Sequence, residues 1–354
     1  MLAGALQSGV GLYRLGLGAK NLAYDRGWLR QARLPCPVIS VGNLTVGGGG
    51  KTACVVWLAG KLRGWGRRVG VLSRGYGGTI ATPAVLIQHA GQMQLNGRPL
   101  SRADRAPDEP QLLAAALPEV PILIGARREQ TGRRAVEQHR VDVLVLDDGF
   151  QYRRLHRDCE VVVVQARMPL GGWRLLPRGP MREPVESLKR ADAILLTKTD
   201  QSFPVLGAME ERLRAINPQA VVAGSVHEPV ALADAVAGAE IPLAQAAQLR
   251  VHLISSIGDP EGFEQTVRRL GMTVLSHASY PDHHPYTAND WSRMCASDAG
   301  GDGWVTTEKD VVRLGRFVLA EPPSRGRVWV LRVRMRVVQG EQALDERLAR
   351  VCLR

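Results

Sequence analysis

Residues 37–63 restrict the fold more than any other stretch of the chain. A short apolar run, Pro37-Val38-Ile39-Ser40-Val41, leads into Gly42-Asn43-Leu44-Thr45-Val46-Gly47-Gly48-Gly49-Gly50-Lys51-Thr52, and residues 53–63 (ACVVWLAGKLR) follow at helical spacing. The apolar run reads as a buried parallel strand. A glycine loop therefore joins a strand to a helix N-terminus, where backbone N–H groups can curl around phosphate oxygens. In that arrangement Lys51 reaches the β- and γ-phosphates, and the Thr52 hydroxyl is suited to Mg²⁺. The general pattern GxxxxGK[ST] asks for glycine where this chain has Thr45. The strand before, the helix after and GKT at the junction favour a nucleotide loop over a glycine linker, with Thr45, Val46, Gly47, Gly48, Gly49, Gly50, Lys51 and Thr52 as its binding residues.

Downstream, Val141-Asp142-Val143-Leu144-Val145-Leu146 ends in Asp147-Asp148-Gly149. An apolar strand closed by carboxylates after a phosphate loop is the arrangement that holds Mg²⁺ directly or through water. Strand-like runs near 38–41, 69–72, 122–124, 143–146, 161–164 and 193–196 alternate with helical stretches, which predicts a doubly wound parallel α/β sheet of the P-loop NTPase kind. The run at 69–72 opens into Ser73-Arg74-Gly75-Tyr76-Gly77-Gly78, a turn or a substrate loop. An acidic cluster, Pro107-Asp108-Glu109-Pro110, precedes a helical stretch and could cap it. The run at 193–196 ends in Thr197-Lys198-Thr199-Asp200, similar to the guanine-recognition pattern NKxD but without its asparagine, so guanine specificity is not expected.

The 354 residues, 45% hydrophobic and 23% charged, are of ordinary globular composition, which excludes collagen-like and disordered classes. The net charge of +12 suits an anionic partner: nucleic acid, anionic lipid or a phosphorylated substrate. Arg-rich stretches at 127–134 and 153–157 would suit nucleic acid, but 5% aromatic content offers few stacking platforms. The 5 cysteines are scattered without CxxC spacing, as expected of a reducing compartment. No secretory segment or long charge-free apolar window stands out, so neither export nor a membrane span is expected.

Residues 1–35 place Leu2, Leu6, Val10, Tyr13, Leu17 and Tyr24 on one helical stripe, with Arg14, Lys20, Arg26, Arg30 and Arg33 against Asp25 alone. A basic amphipathic helix of this kind either packs on its own domain or lies in a lipid headgroup layer.

Together the motifs GNLTVGGGGKT, SRGYGG, PDEP, DDGFQYRRLHRD, LLPRGPMREP, PDHHPYT and TTEKD resemble, in content and order, the tetraacyldisaccharide 4'-kinases of lipid A biosynthesis. That family carries threonine at the position of Thr45. The resemblance implies transfer of the ATP γ-phosphate to the 4'-hydroxyl of a tetraacylated disaccharide 1-phosphate, giving lipid IV-A at the cytoplasmic face of the inner membrane. A lipid-embedded acceptor would account for the N-terminal helix as a monotopic, membrane-associating element. It implies Asp108 as base with His283 as its partner, Lys51 and Arg128 in catalysis, Thr52, Asp147, Asp148 and Glu183 around Mg²⁺, and Arg74, Tyr76 and Arg182 on the acceptor. It also implies a helix at 1–35, a kinase domain at 36–225, a hairpin linker at 226–249 and a smaller α/β domain at 250–354, with catalysis between the lobes and no nucleic acid or obligate protein partner. Tyr152 and Pro107 depart from the family's usual histidine and glycine. A P-loop kinase or ATPase acting on a soluble small molecule is the competing reading.

Overall fold

The computed structural model describes residues 2–47, 49–101, 104–166, 172, 174–201, 206–296, 300–320 and 327–352. Two compact units divide them, Met1–Val226 with Met335–Arg354, and His227–Arg334.

The first unit is built on the expected apolar runs. After α1 (Leu2–Asp25) come β1 (Val38–Asn43), α2 (Lys51–Gly64), β2 (Val69–Ser73), β3 (Ala84–His89), β4 (Gln92–Leu95) and β5 (Arg98–Pro99). Then follow α3 (Asp108–Ala116), β6 (Ile122–Ile124), α4 (Arg128–His139), β7 (Val143–Asp147), β8 (Cys159–Gln165), β9 (Ala193–Thr197), α5 (Leu206–Ile216) and the start of β10 (Val221–Asp234). The strand order is β10-β9-β8-β1-β7-β2-β6-β3-β4-β5. Pairing is parallel from β10 to β6 and antiparallel from β6 through β5. β1, β2, β7 and β9 are buried at every residue, the signature of a sheet covered on both faces. Leu58 and Leu62 of α2 and Leu113 of α3 pack on one face of this sheet with Ile39, Val71 and Val145. Truncating one such fully buried leucine to alanine costs about 2–5 kcal/mol.

The antiparallel meander 84–99 extends the sheet beyond the runs read from the sequence. A second difference lies at the C-terminus: Met335–Arg354 belongs to the first unit, not to a domain spanning 250–354. The reason is packing and charge. Leu344 and Leu348 of the last helix, Glu341–Cys352, join the core that contains Leu58. Lys61 Nζ binds Glu341 at 2.8 Å and Asp345 at 2.6 Å, tying that helix to α2.

α1 packs on the first unit through part of the expected stripe. The Tyr13 hydroxyl donates to the Arg182 carbonyl (2.7 Å), Asn21 Nδ2 to Glu183 Oε2 (3.2 Å), and Arg153 pairs with Asp25 (2.7 Å) while its guanidinium lies over the Tyr24 ring. Leu15, Leu22, Trp28 and Leu29 face solvent instead. The side chains of Leu2 and Leu6 lie outside the described residues. Among the described residues no helix is long and apolar enough to cross a membrane.

The second unit begins in β10, whose far end pairs antiparallel with β11 (Glu240–Ile241) within the stretch expected as a hairpin linker. It continues with α6 (Leu243–Ala246), β12 (Arg250–Ser255), α7 (Pro260–Arg269), β13 (Thr273–Ser279), α8 (Ala288–Ala296), β14 (Gly303–Thr307), α9 (Glu308–Ala320) and β15 (Arg327–Gln339), and α10 is the helix Glu341–Cys352 of the first unit. Its parallel order is β13-β12-β14-β15. Leu253 and Val305 point to one apolar layer with Phe263 and Trp329, and Ile254 and Trp304 to the other with Trp291 and Tyr286, the alternation that strand geometry imposes.

Candidate active site

Ligands of open parallel sheets bind at the carboxyl ends of the strands, and the chemistry-bearing residues of the first unit gather there. β1 ends at Asn43, β2 at Ser73, β7 at Asp147 and β9 at Thr197. Gly47 and Gly50 take φ of 94° and 87°, a region that side chains with a Cβ rarely enter, which is why the loop needs glycine there. Thr45 sits where the loop pairs antiparallel with Met181, and the neighbouring Val46 N–H donates to the Pro180 carbonyl at 2.8 Å. Position 45 thus serves as a β-bridge to the LLPRGPMREP segment and has no need of glycine. Gly48, expected among the binding residues, lies outside the described residues. Thr45, Val46, Gly47, Gly49 and Gly50 line the strand-to-helix turn, and Lys51 and Thr52 open α2.

Lys51 Nζ donates to Asn43 Oδ1 at 3.2 Å and lies 3.6 Å from Asp148 Oδ1. Arg182 binds both oxygens of Asp148, at 2.7 and 2.9 Å, and also donates to Asn43 Oδ1. A bidentate guanidinium–carboxylate pair is strong and directional, so Arg182 braces the acid at the head of α2. Arg182, expected at the acceptor, thus sits at the same strand ends as the acidic pair, with its guanidinium on Asp148 and Asn43. Asn43 itself is buried and was not read from the sequence as a site residue, because one polar residue at a strand end carries no pattern.

The two adjacent aspartates are chemically unlike. Burial pushes the Asp147 carboxyl up to about 7, reinforced by the charges of Glu109 and Asp148, while Lys51 and a hydrogen bond from the Ser73 hydroxyl (3.3 Å) offset only part of this. Burial raises Asp148 as well, but the Arg182 hydrogen bonds and the Lys51 charge outweigh it and hold the carboxyl at about 2. One acid is therefore ionised throughout the neutral range, and the other is proton-hungry.

Asp108 is the first residue of α3, directly after Pro107. Its neighbour Glu109 acts electrostatically on Asp147, which places the PDEP segment beside the acidic pair. The SRGYGG loop closes over the same segment: a Cβ on Gly78 would fall 2.4 Å from Pro107 Cγ, so only glycine permits that approach. Arg74 on this loop repels Arg128, whose own guanidinium is lowered first by burial. Tyr76 is 81% exposed.

Arg128 opens α4, is buried, and stacks on the Tyr152 ring at 4.4 Å. The Tyr152 hydroxyl donates to Glu129 Oε2 at 2.5 Å and accepts the Arg128 backbone N–H at 3.2 Å. The departure from histidine at 152 thus puts an aromatic face under a cation, a contact invisible before the fold joined residues 128 and 152. Thr197 was read only as a missing asparagine. Its buried hydroxyl donates to the Gly49 carbonyl at 3.0 Å, bracing the phosphate loop.

Glu183 was expected near Mg²⁺. It is buried, its Oε2 accepting from Arg190 (2.9 Å) and Asn21 (3.2 Å). Among the described residues no three carboxylate, histidine or cysteine side chains cluster to hold a metal. Through Asn21 the Glu183 carboxylate also ties α1 to this end of the sheet, while Asp147 and Asp148 form the acidic pair at the strand end. The donor chemistry of that pair fits a hard oxygen-seeking cation, and a cation bound there would compete with the proton on Asp147. His283 lies in the second unit, on the loop after β13, 48% exposed at its side chain.

The match to known proteins extends well beyond this site. The family described as Tetraacyldisaccharide-1-P 4'-kinase matches residues 5–353. A tetraacyldisaccharide 4'-kinase of Anaeromyxobacter dehalogenans (strain 2CP-C) is 41% identical, covering 95% of this chain and 87% of its own length. A second, from Anaeromyxobacter sp. (strain K), is 42% identical over 95% and 88%. The crystal structure of the "apo" form of LpxK from Aquifex aeolicus in complex with ATP superposes with a TM-score of 0.74 at 30% identity, over 99% of this chain and all of the other. With sequence and fold in agreement along nearly the whole length, the chain belongs to the tetraacyldisaccharide 4'-kinase family.

Proposed function

We propose that this protein transfers the γ-phosphate of ATP to the 4'-hydroxyl of tetraacyldisaccharide 1-phosphate, with Mg²⁺, at an anionic membrane surface on the cytoplasmic side of the bacterial inner membrane. The observation that carries the reading is the convergence of Lys51, the Asp147–Asp148 pair and the PDEP segment at the strand ends of a chain matched to the family over residues 5–353.

The residues divide the work as follows. The loop amides and Lys51 take the β- and γ-phosphates. Asp108 accepts the proton of the 4'-hydroxyl as its oxygen bonds to the γ-phosphorus; the bond from that phosphorus to the β-bridging oxygen breaks, and ADP leaves. Arg128 and Lys51 offset the charge on the transferring group. Asp147, Asp148 and the Thr52 hydroxyl would hold Mg²⁺, which when bound neutralises phosphate charge. Arg74 is assigned to the acceptor, its planar donors matching a phosphate, and Tyr76, exposed on the same loop, to the sugar.

Features of α1 and of the segment that follows it support a lipid acceptor. Leu15, Leu22, Trp28 and Leu29 are exposed beside the exposed Arg14, Lys20, Arg26 and Arg30, a combination suited to a headgroup layer. A groove of ≈ 630 Å³ runs between α1 and Pro184 past Leu15, Leu17 and Gly18, and suits an acyl chain.

The test is transfer of label from [γ-³²P]ATP to tetraacyldisaccharide 1-phosphate in detergent micelles, with and without EDTA, beside sedimentation with anionic and zwitterionic liposomes. Labelled lipid that disappears with EDTA, and co-sedimentation with anionic vesicles, are expected. Transfer only to soluble acceptors would overturn the lipid substrate. Retention on neither vesicle type would remove the membrane surface.

Tyr152 gives a graded prediction. Tyr152→Phe keeps the ring under Arg128, whereas Tyr152→Leu removes it; a cation–π contact contributes about 0.5–2 kcal/mol, so kcat/KM is expected to fall about 2- to 30-fold in the leucine variant and less in phenylalanine. Equal losses in both would assign the effect to the hydroxyl.

A further inference from the structure

The loop carrying His283 is fastened to the start of α9 by a hydrogen-bond network inside the second unit. Asp310, fully buried, accepts from the Ser256 N–H (3.1 Å) and hydroxyl (2.9 Å), from the Tyr286 hydroxyl (3.2 Å) and from Arg313 (2.8 Å). The Ser256 carbonyl in turn accepts the His283 N–H at 3.3 Å. His283 takes φ of 62°, a left-handed conformation that a residue with a Cβ holds only when its surroundings over-determine it.

On this frame Lys309 Nζ reaches two side chains at once, Asp282 Oδ1 at 2.9 Å and His283 Nε2 at 3.2 Å. An ammonium group has donors and no acceptor. A ring nitrogen at hydrogen-bond distance from it accepts, and the neutral imidazole then carries its proton on Nδ1; Asp282 Oδ2, which would favour a proton on Nε2, lies farther off at 3.9 Å.

We propose that Lys309 is a positioning residue that fixes both the orientation and the tautomer of His283. The functional part of the proposal rests on the reading of His283 as the partner of the transferring base, a role in which the Nδ1–H form offers a hydrogen-bond donor that can orient a carboxylate. Lys309 belongs to the TTEKD motif, which no other step of the reaction uses. Asp282 shares the ammonium and keeps it at the ring.

The experiment is imidazole ¹⁵N–¹H correlation spectroscopy on full-length protein labelled at histidine, at pH 8.5 so that the ordinary histidine pKa near 6.5 is well below. His283→Gln assigns the signal. The wild type is expected to show a protonated Nδ1 and an unprotonated Nε2 at His283. Lys309→Met is expected to move the proton to Nε2, Lys309→Arg to keep it on Nδ1, and the remaining histidine signals to stay in place as the check on folding. An Nε2–H signal in the wild type, or an Nδ1–H signal persisting in Lys309→Met, overturns the proposal. In the transfer assay Lys309→Met should lower kcat about tenfold with KM for ATP unchanged. A tautomer that moves while kcat stays constant upholds the effect of Lys309 on the ring and overturns the part given to His283 in transfer.

Discussion

Asp108→Asn is expected to lower kcat for 4'-phosphoryl transfer by about 10²–10⁴-fold, the range for removal of a positioned general base, with ATP binding preserved. Asparagine keeps the size of the side chain and its place at the start of α3, so the packing of Pro107 under Gly78 is undisturbed. The nucleotide loop is a separate stretch, held by Asn43, Thr197 and the 180–182 segment. Steady-state transfer beside equilibrium dialysis of ATP separates the two properties. A fall of less than about tenfold would remove Asp108 as the base. A His283→Asn single variant and the double variant complete a cycle: residues acting as a unit are grossly non-additive, so a double variant no worse than the worse single couples them, and additive losses separate them.

Asp147→Asn is expected to raise thermal stability while abolishing most transfer. The sign follows from the raised carboxyl. In the unfolded chain an aspartate ionises near 3.9, whereas burial and the charges of Glu109 and Asp148 push Asp147 up to about 7 in the fold. Between these values the native state binds more protons than the unfolded one, so this group's contribution to stability falls as pH rises and is fully lost above 7. Asparagine carries no such charge. Without Mg²⁺ and nucleotide, the variant and wild type should melt together near pH 4 and diverge through the window up to about 7, with the variant several degrees higher at pH 8. Adding Mg²⁺ should narrow the gap by stabilising only the wild type. Equal melting temperatures at pH 8 would mean that Asp147 is not a strained charge. Transfer should fall by about 10²–10³-fold, the scale for removing one electrostatic stabiliser of a transition state.

These two aspartates mark the boundary of what can be read along a chain. That an acidic pair closes an apolar strand was evident from residues 141–149 alone, since strand burial and the turn after it are local properties. Which carboxylate is held ionised was not evident. Asp148 is held low by Arg182, which lies 34 positions away, and Asp147 is raised by burial and by Glu109, brought in by α3. In the same way the REP segment was legible as a motif, but the burial of Glu183 against Arg190 and Asn21 depended on where α1 packs. Tyr152 looked like a lost imidazole until α4 placed Arg128 on its ring.

The unit boundary follows the same rule. A smaller α/β domain was expected from the family resemblance, yet the return of Met335–Arg354 to the first unit depends on Leu344, Leu348 and the pairing of Lys61 with Glu341 and Asp345, partners separated by more than half the chain. The meander 84–99 was missed because its short strands border a sheet edge and carry only a partial apolar alternation.

The sequence by itself determined the strand–loop–helix nucleotide site, the parallel α/β class and, through seven ordered motifs, the family, because these rest on backbone geometry and local periodicity written into neighbouring residues. The tertiary structure alone decided the partners of Arg182, Glu183, Tyr152 and Lys309 and the unlike chemistry of Asp147 and Asp148. Burial and charge pairing arise between residues that only folding brings together.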